Sequence, residues 1–228
     1  MSLILNIDTA SETAYVSIAK DGVLLQEKIN TDAKSHASFL QPAIQSISKK
    51  IGVALHELDA VAVSAGPGSY TGLRVGMASA KGLCYALKKP LVTVSSLEIL
   101  ANDAIQQVDN NDAGASILFC PMIDARRMEV FTALYNSHLD IISPAVAVIL
   151  EQNNFVNWLL SYRMYFFGSG AVKWEKVCLH PNAHFIQLQN NSLSMCALSY
   201  KKLMSNQLAD LIYSAPEYIK EFQSNKGG

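Results

Sequence analysis

The segment Gly66–Arg74 reads Gly-Pro-Gly-Ser-Tyr-Thr-Gly-Leu-Arg, and it determines how the first half of the chain folds. It follows the apolar run Ala60–Ala65, which predicts a strand buried on both faces. It leads into Leu73–Leu87, where apolar residues recur at helical spacing. A strand, a glycine-rich turn and a helix entry can present backbone N–H groups to an anion. A tight crossover explains the same glycines, and the complete phosphate-loop pattern with Lys-Ser/Thr is absent.

Composition indicates a folded protein without a strong charge preference. The 228 residues are 50% hydrophobic and 16% charged, with a formal net charge of −1. This apolar content rules out wholesale disorder, and the charge balance gives no footprint for independent, tight binding of nucleic acid. The four cysteines form no Cys-x-x-Cys pair, so we expect free thiols rather than a zinc knuckle or a disulfide framework. No apolar run is long enough to span a membrane and the N-terminus has no basic region, so we expect a cytoplasmic protein.

The order of predicted elements describes two similar halves. Strands are predicted at 3–7, 14–19, 23–29 and 90–94, with helices at 39–51 and 96–108; the second half has strands at 117–123, 128–135, 146–149 and 164–167, with helices at 151–160 and 194–204. Asp8 and Asp124 each close the first strand of a three-strand unit, which is a weak internal repeat. We place the boundary in the loop-like run Asp109–Gly114. The pattern predicts two α/β lobes with mixed sheets flanked by helices, residues 1–110 and 111–228.

Helix caps are predicted from short polar residues. Ser38 and Gln41 suit a capping box for the helix at 39–51, and an earlier start with a kink at Pro42 is the alternative. Thr71 is the expected N-cap of the helix after the glycine turn. Ser95 is the expected cap of the helix at 96–108.

Candidates for metal binding and nucleophilic catalysis are weak. His180 and His184 have the i, i+4 spacing of two helical metal ligands, but Pro181 and Asn182 between them favour a turn. His36 stands alone in a polar stretch, where a surface or capping role is expected. Neither metal ligands nor catalytic residues are therefore predicted.

Two positions after buried strands are suited to anions. Asp8 ends the first strand, where a carboxylate facing metal or phosphate and a simple turn cap are both reasonable. Arg126 and Arg127 follow Asp124 at the matching place in the second half, and they are candidate anion contacts. A local pair between an arginine and Glu129 is the alternative.

The helix at 73–87 indicates a binding function through its second face. A helix that covers a sheet needs one apolar stripe, but this helix also has small or apolar residues at Val75, Ser79, Gly82 and Ala86. Such a face suits a close-packed neighbouring helix. The neighbour is either the helix at 39–51 or a helix of another chain.

Several motifs together carry a resemblance to a known family. They are Leu5–Thr9, Gly66–Gly76, Ser95–Glu98 and Ile123–Arg127, in that order, and Pro216–Ile219 near the C-terminus. These motifs resemble the bacterial TsaB (YeaZ) family closely over the first 130 residues or so and thinly thereafter. Tyr70 stands where that family usually has phenylalanine.

The resemblance implies a fold, a function and a set of partners. The fold is the actin/Hsp70/sugar-kinase-like (ASKHA, ribonuclease H-like) arrangement of two duplicated lobes. The implied function is that of a non-catalytic scaffold in threonylcarbamoyladenosine (t6A) modification of tRNA, without a cofactor. The implied partners are the catalytic paralogue TsaD, the ATPase TsaE and a second copy of the chain, with tRNA contacted only indirectly through the complex and no membrane contact.

The resemblance also assigns roles to residues. The family signature loop comprises Gly66, Pro67, Gly68, Ser69, Thr71, Gly72 and Arg74. The expected partner interface on the helices of the first lobe comprises Phe39, Ala43, Val75, Ser79, Gly82 and Ala86.

The alternative function is an enzyme of the same fold, either a residual ATPase or a metallopeptidase-like protein. Kinases and chaperones of this fold resemble one another in an Asp-x-Gly turn after the first strand. Here Thr9 and Ala10 follow Asp8, so the glycine is missing, and Gly168–Gly170 is a thin remnant of an adenosine-binding turn. These departures favour the scaffold.

Overall fold

A five-stranded mixed sheet forms the centre of the first lobe. The structure, a computed structural model, describes residues 1–108, 116–189 and 192–219. The strands of this sheet are β1 (Leu3–Asp8), β2 (Ala14–Lys20), β3 (Val23–Asn30), β4 (Ala60–Gly66) and β5 (Leu91–Ser95). Their order is β3-β2-β1-β4-β5; the first three are antiparallel, and β4 and β5 run parallel to β1. Every residue of β4 is buried, as the apolar run predicts for a central strand.

Helices cover both faces of this sheet. The helices of the chain are α1 (His36–Ile51), α2 (Tyr70–Leu87), α3 (Ser96–Gln107), α4 (Val156–Leu159), α5 (Ala171–Glu175) and α6 (Leu193–Met204), with 3-10 turns at Ala33–Ser35 and Leu55–Glu57. Alternate side chains of β1 point to opposite faces, so Leu5 and Ile7 pack under α1 and α2. Ile4 belongs to the core on the other face, together with Met195 and Leu198 of α6.

The second lobe repeats the strand plan of the first. Its strands are β6 (Ile117–Asp124), β7 (Glu129–Tyr135), β8 (Ile141–Ile149), β9 (Arg163–Phe167) and β10 (Ala183–Phe185), in the order β10-β9-β6-β7-β8. Like β1, β6 is central, antiparallel to the next strand in sequence and parallel to the strand on its other side. The predicted duplicated α/β fold is therefore confirmed.

The last helix returns to the first lobe. Met195 of α6 lies in the core formed with Ile4 and Val92 of the first sheet, and Lys202 pairs with Glu98 of α3 at 3.1 Å. The boundary predicted at Asp109–Gly114 lies outside the described residues. Among the described residues of the range 111–228, helix α6 packs on the sheet of the first lobe. This helix therefore follows the predicted boundary in sequence but lies against the first lobe in space.

The predictions for the ends of three helices are confirmed only in part. Helix α1 begins at His36, and the Ser38 hydroxyl donates to the Ser35 carbonyl, so the capping box with Gln41 is wrong and the earlier start is confirmed. Ser95 is the N-cap of α3 but makes no capping hydrogen bond through its side chain. The helix expected at 151–160 is reduced to α4, because Phe155 before it is left-handed, with φ of 59°.

The cysteines and hydropathy agree with the compositional predictions. All four cysteines are free thiols, and Cys178 is the only one that is not fully buried. Among the described residues, no helix combines the length and apolarity that a membrane span requires.

Candidate functional site

The signature loop packs directly on the end of β1. A Cβ atom added at Gly68 would overlap the Ala10 carbonyl oxygen, and one at Gly72 would overlap the carbonyl oxygen of Thr9. Gly76, one further turn along α2, lies against the Thr9 hydroxyl in the same way. Glycines at steps of four thus form one face of the helix entry. They are needed because backbone approaches backbone there.

Hydrogen bonds hold this contact together. The Ser69 N–H donates to the Ala10 carbonyl at 2.7 Å, and the Thr9 hydroxyl donates to the Gly72 carbonyl at 2.7 Å. The Ser69 hydroxyl accepts from the Gly72 N–H at 3.3 Å and is the N-cap of α2. The prediction that Thr71 caps this helix is therefore wrong, since the helix begins one residue earlier, at Tyr70. The loop N–H of Ser69 points at protein rather than at a ligand.

Asp8 is held within its own turn. Its carboxylate accepts from the Ala10 N–H at 3.0 Å, which confirms the turn-cap interpretation. Burial raises the pKa of this carboxyl above its ordinary value, partly offset by the bond from Ala10. His36 is buried rather than exposed, and its ring bonds Asn30 and the Ser11 carbonyl, so the expected surface role is corrected.

The matching position in the second lobe is more open. The Asp124 N–H donates to the Ser169 hydroxyl at 3.0 Å, and Lys173 donates to its carboxylate at 2.7 Å. Partial burial alone would raise the pKa of Asp124, but Lys173 and the Arg126 N–H bring it below its usual value. A Cβ at Gly170 would crowd β6 at Ile123 and Asp124. The Gly168–Gly170 turn therefore packs against the end of β6.

The expected interface residues lie at different depths. Gly82 and Ala86 of α2 are exposed, and no atom lies within 4 Å of the position that a Gly82 Cβ would take. Val75 and Ser79 are half-buried, as is Phe39 of α1. Ala43 is corrected: it is 2% exposed because it faces the core with Leu40 and Ile44, and it offers nothing to a partner.

A contact that the sequence did not reveal joins the C-terminal segment, residues 208–219, to α2. Lys81 donates to the carbonyls of Ile212 and Ser214 at 3.0 and 2.8 Å. The Arg74 side chain donates to the Tyr218 hydroxyl at 3.0 Å and lies 4.0 Å from the centre of the Tyr70 ring. These residues are far apart in sequence, so no local signal predicts the contact.

The same segment closes over the start of the signature loop. The Glu217 N–H donates to the Ala65 carbonyl at 2.7 Å, and a Cβ at Gly66 would come within 2.9 Å of the Glu217 carbonyl oxygen. Gly66 itself is left-handed, with φ of 115°, and its peptide bond to Pro67 is cis. The glycine loop is thus enclosed by β1 on one side and by the C-terminal segment on the other.

A polar cavity of about 590 Å³ lies apart from the loop. It is lined by residues of α3, α6 and β3, among them Asn102, Asp103 and Ser194. Burial raises the pKa of Asp103 to about 6, although a hydrogen bond with Ser194 opposes this. Asp103 is the only carboxylate in this lining, and it binds its proton more tightly than an exposed aspartate does.

The two histidines with metal-ligand spacing do not lie on a helix. His180 accepts from the Asn182 N–H in a turn, and the His184 ring lies against Tyr165. In the described ranges, no group of three or more His, Cys, Asp or Glu side chains is placed to hold a metal ion.

The described architecture defines a class of protein: duplicated lobes with mixed five-stranded sheets, as in actin-like folds. An inorganic polyphosphate/ATP-glucomannokinase from Arthrobacter shares the fold with a TM-score of 0.51 and 13% identity over 90% of this chain and all of its own. YeaZ from Pseudomonas aeruginosa is more similar, with a TM-score of 0.77 and 27% identity over 96% of this chain and 100% of that one.

Sequence comparison gives the family. A family model described as TsaD, tRNA N6-adenosine threonylcarbamoyltransferase, matches residues 23–221. The tRNA threonylcarbamoyladenosine biosynthesis protein TsaB of Bacillus subtilis is 35% identical over 64% of this chain and 62% of its own length; the protein of the same name from Escherichia coli is 34% identical over 58% and 54%. The chain belongs to the family that this model describes, and within it to the TsaB (YeaZ) proteins. The matches span less than two thirds of these curated relatives.

Proposed function

We propose that this chain is a non-catalytic scaffold in t6A modification of tRNA, which binds and activates a catalytic TsaD-type subunit in the cytoplasm, together with a TsaE-type ATPase. The match to the TsaD family model and the similarity to TsaB proteins support the pathway. The family resemblance supplies the division of labour between scaffold and catalyst. In the absence of TsaD, the chain forms a homodimer through helices α1 and α2 of the first lobe, the helices that contact TsaD in the complex.

The observation that carries the scaffold role is the packing of the glycine loop on Thr9 and Ala10. In an ATPase of this fold, the turn after the first strand approaches phosphate. Here the Ala10 carbonyl accepts from Ser69, and Gly68 fills the space above it. The turn after the first strand is thus packed against protein groups of the loop, which supports a binding role over the alternative of a residual ATPase.

The partner surface in this proposal is the exposed face of α2 around Gly82 and Ala86, with Val75, Ser79 and Phe39 at its edge. The open space over Gly82 allows another helix backbone to come close, which a larger side chain would prevent. Tyr85, 81% exposed beside this face, adds an aromatic anchor.

Co-purification with the TsaD-type protein of the same organism tests the proposal. Gly82→Arg adds bulk and charge to the face, and it should weaken the complex at least tenfold because a charge is forced into a close-packed contact. The helix itself should not suffer, since arginine has a higher helix propensity than glycine. Ala197→Arg is the matched control, because Ala197 is an exposed small residue on α6.

The enzyme alternative is tested on the pure chain. We expect no ATP hydrolysis above background and no bound zinc or iron at stoichiometric level, and we expect modification by the TsaD-type subunit to require this chain. Steady ATP turnover by the chain alone would reject the scaffold role, as would a Gly82→Arg complex as tight as that of the Ala197→Arg control.

A further inference from the structure

The connection between β6 and β7 contains two consecutive arginines in the left-handed conformation. Arg126 has φ of 70° and Arg127 has φ of 48°. Residues with side chains disfavour this conformation, which glycine and asparagine adopt most readily. Strain that persists at an exposed turn is a reason to look for a function of the side chains.

The nearest carboxylate does not neutralise these arginines. Asp124 accepts from the Arg126 backbone N–H at 2.5 Å and from the Lys173 ammonium at 2.7 Å, so Lys173 balances its charge. Both arginines are exposed. Among the described residues, neither guanidinium forms an ion pair with a carboxylate, and the local pair expected with Glu129 is not among the salt bridges found there.

The two arginines lie on an exposed turn at the protein surface. Cavities of about 240 and 590 Å³ are formed by other residues, and neither arginine lines them. Small ligands bind where most of their surface is buried. Phosphates of a nucleic-acid backbone are instead contacted from open surfaces, and the planar guanidinium matches their oxygens.

We propose that Arg126 and Arg127 bind phosphate groups of an RNA backbone. This inference rests on the proposed function, in which the chain works in an assembly that holds tRNA. A chain with a net charge of −1 has little affinity for RNA by itself, so two contacts act as a local addition to binding by the assembly.

The test is the salt dependence of tRNA binding by the assembly of this chain with its TsaD-type partner. The double variant Arg126→Gly, Arg127→Gly removes both charges and suits the left-handed backbone, so it should melt no lower than the unmodified chain. Losing two phosphate contacts should make the fall in affinity between about 50 and 200 mM salt roughly tenfold smaller. The matched control is Lys88→Gly, another exposed left-handed cation, which should leave this dependence unchanged.

The outcomes separate this inference from the proposed function. The same variants are also measured as the chain alone in about 20 mM salt, where charges are weakly screened, so a result is obtained even if no partner binds. An equal salt dependence for the double variant and the control would overturn the arginine site while leaving the scaffold intact. Displacement of tRNA by free ATP that requires both arginines would assign the site to a nucleotide and overturn the RNA ligand. Failure to co-purify with the TsaD-type protein would instead reject the scaffold.

Discussion

Replacing Gly72 with alanine probes the contact on which the scaffold argument depends. Gly72 lies in the first turn of α2, and its missing Cβ leaves room for the Thr9 carbonyl. The Thr9 hydroxyl also donates to the Gly72 carbonyl at 2.7 Å. The added methyl group would overlap the Thr9 carbonyl oxygen. This oxygen belongs to the backbone of the neighbouring turn, so a change of side-chain rotamer cannot relieve the overlap. The start of α2 must therefore shift away from β1.

Several opposing effects set the magnitude. Overpacking a close-packed interior costs about 1–3 kcal/mol, and loss of the Thr9 hydrogen bond costs about 1 kcal/mol more. Alanine regains at most about 1 kcal/mol of helix propensity. With the full helix-propensity gain counted, the free energy of unfolding should fall by roughly 1–3 kcal/mol, which corresponds to a decrease of about 2–12 °C in Tm for a chain of this size.

Thermal and urea denaturation of the full chain measure the effect. Gly82→Ala is the matched control, because it lies in the same helix with no atom within 4 Å of the added group. The control should raise the free energy of unfolding by up to about 1 kcal/mol through helix propensity. If Gly72→Ala were as stable as Gly82→Ala, the close approach of Thr9 to the helix would be refuted, and with it the argument that protein groups pack tightly against the turn after β1.

Two further predictions concern the cavity carboxyl and the C-terminal segment. Burial raises the pKa of Asp103 to about 6, so the folded chain binds the Asp103 proton more tightly than the unfolded chain does, and the free energy of unfolding falls as pH rises from about 4 through 6. The variant Asp103→Asn should therefore be more stable than the unmodified chain at about pH 7, by at most about 3 kcal/mol. Below about pH 4 the two should be equally stable. Urea titrations at both pH values check this, and a pH-independent difference would contradict it. Lys81→Met removes two bonds to the segment, so amide exchange at 212–218 should quicken about fivefold while the global Tm stays within about 2 °C; unchanged exchange would show that Lys81 does not hold the segment.

The sequence predicted what is local and missed what is distant. The apolar run Ala60–Ala65 was sufficient to predict the buried strand β4, because the burial of a strand is encoded by neighbouring residues. The predicted helix starts differ from the observed ones by none for α3 to five residues for α4. For α2, Ser69 and Thr71 are equally good caps by composition. The contact of Arg74 with Tyr218 depends on the folded path of the chain, and no spacing rule covers it.

The sequence singled out the glycine loop as a feature of interest but did not determine the role of its glycines. Three glycines near a helix start suggested either an anion cradle or close packing, and only the position of Thr9, distant in sequence, decides between them. Ala43 has the size expected of an interface residue, but its helical phase places it with Leu40 in the core. A side chain's type is thus less informative than the face on which it lies.

The two lobes show why duplicated turns need not share a function. Asp8 and Asp124 end equivalent central strands. The turn after Asp8 is nevertheless covered by the start of α2, where the Ser69 N–H donates a hydrogen bond to the Ala10 carbonyl. No such helix entry covers Arg126 and Arg127, which are exposed and left-handed. A ligand that bound the Ser69 N–H in the first lobe would have to break its hydrogen bond to Ala10. A ligand that bound the guanidinium groups of Arg126 and Arg127 in the second lobe would reach them from solvent. The two proposed binding surfaces therefore differ in kind, a helix face in the first lobe and a charged turn in the second, although both follow from the same strand plan.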